Sequence, residues 1–385
     1  MTPILPGATL GVMGGGQLGR MFVHAAQRMG YFTAVLDPDA DSPAGLVSHH
    51  HVKADYLDPR GLEQLAQVSA AITTEFENVP APALATLAAS LPVAPAASAV
   101  AIAQDRAQEK AHFAGCGVPC APNAVIDSAA QLAGIDAGLL PGILKTSRLG
   151  YDGKGQARVK TREELAAAWE RFGRVPCVLE KLLPLAAECS VIVARGHDGQ
   201  MVNLPVQLNL HRDGILAVTQ VHEGNLPAAQ AKQAVDATRA VAQGLGYVGV
   251  LCVEFFVLAD GSLVVNEMAP RPHNSGHYSM DACDVSQFEL QVRTLAGLAL
   301  VQPRQHSPSV MLNLLGDLWF TKGDAECTPD WDRVLALPGA HLHLYGKRSA
   351  RKGRKMGHLT VTGPTVQAVR ATALQAAGLL GIDAF

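Results

Sequence analysis

Two glutamates placed to meet across a hairpin make the most definite chemical statement in this sequence. Residues 248–268 hold two apolar runs flanking Asp260-Gly261, a dipeptide favoured in two-residue type I′ turns. With those residues as the turn, Ala259 faces Ser262, and stepping outward pairs Glu254 with Glu267. Two carboxylates then lie directly opposite on one face, where like charges repel. Their neighbours Val253, Phe255, Phe256, Val265 and Met268 are apolar, which argues against a solvated edge. A divalent cation resolves the conflict. Hard oxygen ligands suit magnesium, with manganese as a substitute, and such an ion bridges to substrate phosphates. The inference depends on register, because a one-residue slip sends the carboxylates to opposite faces.

Glu267 runs directly into Met-Ala-Pro-Arg-Pro-His-Asn-Ser-Gly-His, which gathers Arg271, His273, Asn274 and His277 within seven residues. Beside a metal pair, that loop reads as substrate-facing. A glycine-rich run at residues 150–156 sets Tyr151 and Asp152 between glycines, with Lys145, Arg148 and Lys154 able to meet phosphate charge. It is not a P-loop, since no Lys-Ser or Lys-Thr follows and a strand over residues 157–159 comes next. A plain hairpin turn is the alternative; the flanking cations favour a mobile lid over triphosphate. Residues 347–355 carry six basic side chains in nine positions. No aromatic residue interleaves them to stack a base, so capture of a phosphate ester fits better than nucleic acid.

Gly14-x-Gly16-x-x-Gly19, with Asp37 closing the next strand, matches a dinucleotide fingerprint. The same turn serves any phosphate-bearing ligand, or none. Gln17 and Leu18 within it offer polar and backbone groups.

The elements that must position these groups follow from periodicity. Residues 10–13, 33–36 and 71–74 read as strands alternating with a helix that carries Leu18, Met21, Phe22, Ala25, Ala26 and Met29 on one face. That alternation implies a parallel sheet. Residues 81–103 are uncharged but broken by prolines, and read as a helix, a short strand and a turn. From residue 104 a charged helix leads into an α+β region, with strands near 145, 178–181 and 189–194 and an Ala-rich helix over 228–245. A Pro- and His-containing stretch at 302–308 looks like a boundary, followed by a small domain with a β-like segment at 341–345 and a final helix.

Length and composition set the frame. A chain of 385 residues is expected to form two or three domains, and 48% hydrophobic with 17% charged residues is far from disorder. The net charge of −3 argues against general nucleic-acid binding. No basic stretch followed by an apolar run opens the chain, so a cytoplasmic location is expected and no membrane association. Seven scattered cysteines read as free thiols; the C-x3-C pair Cys116 and Cys120 has no second half to complete a zinc site. His49, His50 and His51 read as a surface turn.

Taken in order, Gly-Gly-Gly-Gln-Leu-Gly-Arg, Thr-Glu-Phe-Glu-Asn-Val, Gly-Tyr-Asp-Gly-Lys-Gly-Gln, Asn-Glu-Met-Ala-Pro-Arg-Pro-His-Asn-Ser-Gly-His and Gly-Arg-Lys-Met-Gly-His resemble the N5-carboxyaminoimidazole ribonucleotide synthetases of the ATP-grasp superfamily. The resemblance covers nearly the whole chain. It implies a Rossmann-like preATP-grasp domain (1–103), an ATP-grasp domain (104–301) and a small β-rich C-terminal domain (302–385). It also implies ATP-dependent carboxylation of 5-aminoimidazole ribonucleotide by bicarbonate, through carboxyphosphate, by a homodimer. On that basis ATP meets Arg106, Lys145, the lid Gly150, Tyr151, Asp152, Gly153, Lys154, Gly155 and Gln156, then Glu180, Lys181, Leu182, Leu183, Glu188, His211, Asn266 and Glu267. The ribonucleotide touches Gln17, Leu18, Glu75, Asn274, Lys347, Arg354 and Lys355. Tyr151, Asp152, Arg271 and His273 are the candidates for positioning bicarbonate and handling protons. The rivals are another ATP-grasp ligase acting on a phosphoribosyl substrate, a non-catalytic nucleotide-binding regulator, and a nicotinamide oxidoreductase built on the first glycine turn.

Overall fold

The computed structural model describes residues 1–150, 155–321, 323 and 325–385. Its first unit is a parallel sheet in the spatial order His50–Val52, Phe32–Leu36, Thr9–Met13, Ala71–Thr74. The helix Gln17–Arg28 lays Leu18, Met21, Phe22 and Ala26 on it. The same core takes in Phe288, Val292 and Leu295 from the helix Gln287–Leu295, so the first unit is packed directly onto the helix that comes after the loop following Glu267.

Two local expectations are corrected. The histidine run is not a turn: His50–Val52 forms an edge strand, and His49 Nδ1 accepts from the Thr33 amide at 3.2 Å. Residues 81–103 hold two helices, Ala81–Ala88 and Ala97–Ala103, with Val93 bridging to Ile72 between them. Alanine is the strongest helix former, and the prolines sit at or before the first turn, where a missing N–H costs nothing.

A four-stranded antiparallel sheet follows, ordered Asn123–Ile126, Cys177–Lys181, Gly142–Thr146, Gln156–Val159. It faces a nine-stranded sheet whose longest strands, Leu185–Arg195 and Gly249–Leu258, pair near one edge. On one face Val191, Val193, Leu251, Val253 and Phe255 bury against Ala234 and Val241 of the helix Ala228–Gly244. The C-terminal segment builds no separate sheet among the described residues. Its strands Ser309–Leu315, Lys355–Thr362 and Ala340–Leu344 extend the large one through the pairing of Ile215–Val221 with Ser309–Leu315.

The hairpin Gly249–Leu258/Leu263–Ala269 reaches the expected pairing by an unexpected route. Glu254 is the Cα partner of Glu267, but nearer the turn Phe255 pairs with Val265 and Val257 with Leu263. The loop therefore has three residues, closed by Leu258 N–H to Ser262 O at 2.8 Å, with Gly261 at φ +83°. That is the three-residue hairpin in which the last loop residue takes a left-handed conformation. A bulge at Asn266 then restores the offset.

Candidate active site

The bulge sits at the floor of a cleft of about 570 Å³ between the two antiparallel sheets. Its lining includes Arg106, Lys145, Gly150, Gln156, Glu188, His211, Glu254, Asn266, Glu267, Arg271, His273, Asn274 and Lys355, all named from sequence. Tyr151, Asp152, Gly153 and Lys154 lie outside the described residues.

Arg106 opens the helix Arg106–Gly115, whose N-terminus is capped by Asp105. Its Nη1 lies 2.9 Å from Glu267 Oε2 and its Nη2 donates to Gly150 O at 3.3 Å. Four residues along, Lys110 Nζ donates to Asn266 O at 2.5 Å, and Glu109 accepts from the Met268 amide at 2.7 Å. One helix thus clamps the bulged strand on both sides of Glu267. Lys145 Nζ lies 3.0 Å from Glu180 Oε2 and 3.4 Å from Asn266 Oδ1, while Lys110 lies 3.4 Å from Glu180 Oε1. Burial alone would raise the Glu180 carboxyl, but Lys145 and Lys110 outweigh it and hold it below its ordinary value. Lys145 moves down too, chiefly through burial.

The two facing glutamates titrate in opposite directions. Burial and then the Glu267 charge push Glu254 up. Burial would also raise Glu267, but Arg106 and Lys145 overcome it and bring the carboxyl down. Glu254 Oε1 is buried and accepts no hydrogen bond among the described residues; His273 Nε2 stands 3.5 Å away. His273 is oriented by Ser275, whose hydroxyl lies 2.9 Å from Nδ1, and by Gln287, which accepts its amide. Burial and the nearby Arg271 drive its pKa well down, so the ring is neutral. Arg271 is gripped by Glu77, and His211 Nδ1 lies 2.8 Å from Glu188. Asn274 is 8% exposed, yet neither atom of its side-chain amide has a partner among the described residues.

Several expected site residues stand off this lining. Glu180 is occupied by the two lysines, and the amides of Lys181 and Leu182 donate to Pro122 O and Pro141 O; Leu183 follows them. Arg354 donates to Ser349 O and Lys347 to Lys355 O. The first glycine turn is already filled from within. Asp37 accepts from Gly15 N–H at 2.7 Å, and Glu75 accepts from Gly16 and Gly19 at 2.9 and 3.0 Å. Three amides that would have cradled a pyrophosphate hold the chain's own carboxylates, which removes the basis of the nicotinamide reading. Gln17 and Leu18 stay in that turn beside them.

Sequence reasoning missed Glu77, Glu109 and Lys110. Glu77 lies in the quoted Thr-Glu-Phe-Glu-Asn-Val string, so a signal was present; Glu109 and Lys110 lie in a charged helix that gave none.

Residues 7–104 match the ribonucleotide synthetase preATP-grasp domain, residues 111–288 the ATP-grasp domain, and residues 309–372 the phosphoribosylaminoimidazole carboxylase C-terminal domain. The N5-carboxyaminoimidazole ribonucleotide synthase of Brucella melitensis is 45% identical over 370 residues, covering 94% of this chain and 98% of that protein. A crystal structure of the Staphylococcus aureus N5-carboxyaminoimidazole synthetase with ADP superposes with a TM-score of 0.89 at 36% identity, covering 99% of each chain. One from Aspergillus clavatus, in complex with ADP and 5-aminoimidazole ribonucleotide, gives 0.87 at 31% identity over 97% of this chain and 98% of that one.

Proposed function

We propose a division of labour within the cleft of this chain, which belongs to the N5-carboxyaminoimidazole ribonucleotide synthases of the ATP-grasp family. The protein is an ATP-dependent enzyme of purine biosynthesis that makes N5-carboxyaminoimidazole ribonucleotide. The observation that carries the proposal is the meeting of Glu254 and Glu267 with Arg106 and Lys145 at one end of a cleft and the unpartnered Asn274 amide in the same lining.

The carboxylate pair fits a hard divalent cation, because Glu254 Oε1 is an acceptor with nothing to accept from and the opposed charges need neutralising. Glu254 and Glu267 would hold magnesium, which when bound supplies positive charge to the phosphate oxygens of ATP. Arg106 and Lys145 meet the transferring phosphoryl group; as fixed donors they stabilise its charge without reorganising. The 150–156 lid closes over the triphosphate and keeps water from the carboxyphosphate formed when bicarbonate attacks the γ-phosphorus. Glu180 and residues 181–183 border the adenine, and Glu188 and His211 the ribose. Arg271, held by Glu77, orients bicarbonate, and neutral His273 takes part in proton handling beside Glu254; Tyr151 and Asp152 assist from the lid. The exocyclic amine of the ribonucleotide then captures carboxyphosphate, or the carbon dioxide it releases. Asn274 and Lys355 hold that substrate, and Gln17, Leu18, Glu75, Lys347 and Arg354 also touch it.

A homodimer and a cytoplasmic location are part of the same proposal; no described helix is long and apolar enough to cross a membrane. The test is ADP release with Mg-ATP, bicarbonate and 5-aminoimidazole ribonucleotide, each omitted in turn. Full turnover without the ribonucleotide or without bicarbonate would refute the proposal.

A further inference from the structure

We propose that Asp281, His343 and His358 form a second metal site, selective for zinc, outside the nucleotide cleft. His343 on Ala340–Leu344 and His358 on Lys355–Thr362 are Cα partners across an antiparallel pair, so their side chains leave the sheet on the same face. Their rings stack with centroids 4.5 Å apart and planes 14° apart. Asp281, from the short helix Ser279–Ala282, faces them, with Oδ2 2.9 Å from His343 Nε2. One ligand atom from each of the three residues falls within 4.8 Å of the others.

A second observation turns the cluster from a hydrogen-bonded group into a site. His358 is 0% exposed; its Nδ1 lies 3.0 Å from the Tyr345 hydroxyl, and its Nε2 has no hydrogen-bond partner among the described residues. A buried imidazole nitrogen without a partner is costly, and a metal ion relieves that cost. In the tautomer in which Nδ1–H donates to the Tyr345 hydroxyl, Nε2 presents a bare lone pair, which is how metal-bound histidines are normally oriented.

Two imidazoles and one carboxylate make a borderline donor set that suits zinc and not magnesium or calcium. His341 Nδ1 lies 3.8 Å from Asp281 Oδ1 at the edge of the cluster, and water can complete the coordination. Binding shifts the His343 proton from Nε2 to Nδ1 and replaces the short Asp281 contact with two metal bonds. The site joins the short helix after the substrate loop to the strand that carries Lys355 into the cleft, three residues before His358. It acts as a staple between those segments.

The experiment uses the full chain, stripped with a chelator and saturated with Mg-ADP so that the cleft carboxylates are engaged. It is then exposed to zinc, desalted and assayed for retained metal. One zinc per chain is expected, with affinity reduced at least about tenfold in His343→Gln and in Asp281→Asn, and about 10–100-fold in Tyr345→Phe, which removes only the outer-shell hydroxyl. No retained zinc in the wild type, or undiminished retention in both ligand variants, overturns the proposal. Should those variants fail to bind Mg-ADP, cobalt in the wild type decides. Intense tetrahedral d–d absorption supports the site, and weak octahedral absorption refutes it.

Discussion

Glu254 and Glu267 face each other across a hairpin whose turn is one residue longer than a simple Asp-Gly hairpin, and the bulge at Asn266 cancels the difference. The bulge does more than restore register. It turns the Asn266 carbonyl to Lys110 and its side chain toward Lys145, tying the carboxylate strand to the cations that flank it.

Glu254→Gln and Glu267→Gln are each expected to lower turnover by about 10²–10³-fold or more, the usual size of losing a group that stabilises transferring charge. The fold should survive in both; Glu254→Gln removes a repulsion, whereas Glu267→Gln also loses the ion pair with Arg106 and should melt lower than wild type. Steady-state ADP release and a thermal melt on the same sample check both halves; wild-type activity in either variant would sink the metal assignment.

The buried triad of Lys145, Lys110 and Glu180 should respond asymmetrically. Glu180→Gln strands two buried ammonium groups and is expected to cost about 3–5 kcal/mol. Lys145→Met leaves Glu180 still paired with Lys110, so it should cost much less while abolishing turnover. Urea denaturation of the nucleotide-free variants measures the difference, and equal costs would contradict the pairing.

Glu109 predicts a pH dependence. Burial pushes its carboxyl up to about 7, against the pull of Lys110. A group whose pKa is raised on folding contributes stability that is complete below its ordinary value and lost as pH rises through the folded value. The contribution of Glu109 itself, read as the difference between wild type and Glu109→Gln in the nucleotide- and metal-free chain, should therefore fall as pH rises from 4.5 to about 7, the buried histidines cancelling in that difference. Glu109→Gln, which keeps the oxygen that accepts from Met268, should be more stable than wild type by about 2–3 kcal/mol at the upper end. Parallel melts at the two pH values would show identical slopes if the idea is wrong.

Asn274→Leu separates binding from folding. An unpartnered buried amide costs about 1–3 kcal/mol, so removing it should leave the free enzyme as stable as wild type or more so. Affinity for the ribonucleotide should fall by about tenfold or more, the value of one or two hydrogen bonds. Calorimetric titration with 5-aminoimidazole ribonucleotide reads this directly, and unchanged affinity would remove Asn274 from the substrate site.

The sequence carried the faces of elements better than their meetings. Glu254 and Glu267 were placed opposite each other from a register that was wrong at the turn, and the compensating bulge has no signature in an apolar run. Lys110 and Glu109 adjoin in a charged helix, a pattern that ordinarily marks a solvated face; only the approach of the bulged strand buries them. Glu77 finds Arg271 across 194 residues, a separation at which periodicity is silent. The basic run at 347–355 was visible as charge, but of its members only Lys355 lines the cleft, since the loop ties Lys347 and Arg354 to its own carbonyls.

The filled glycine turn has a consequence for selectivity. Asp37 and Glu75 are tethered to the amides they cap, so they compete with any dissolved anion as intramolecular ligands, whose effective concentration far exceeds that of free metabolites. A dinucleotide would have to displace both at once and leave Glu75 buried without the two amides that donate to it. Cellular abundance of such cofactors therefore does not decide occupancy here; the fold has made the turn its own permanent antagonist.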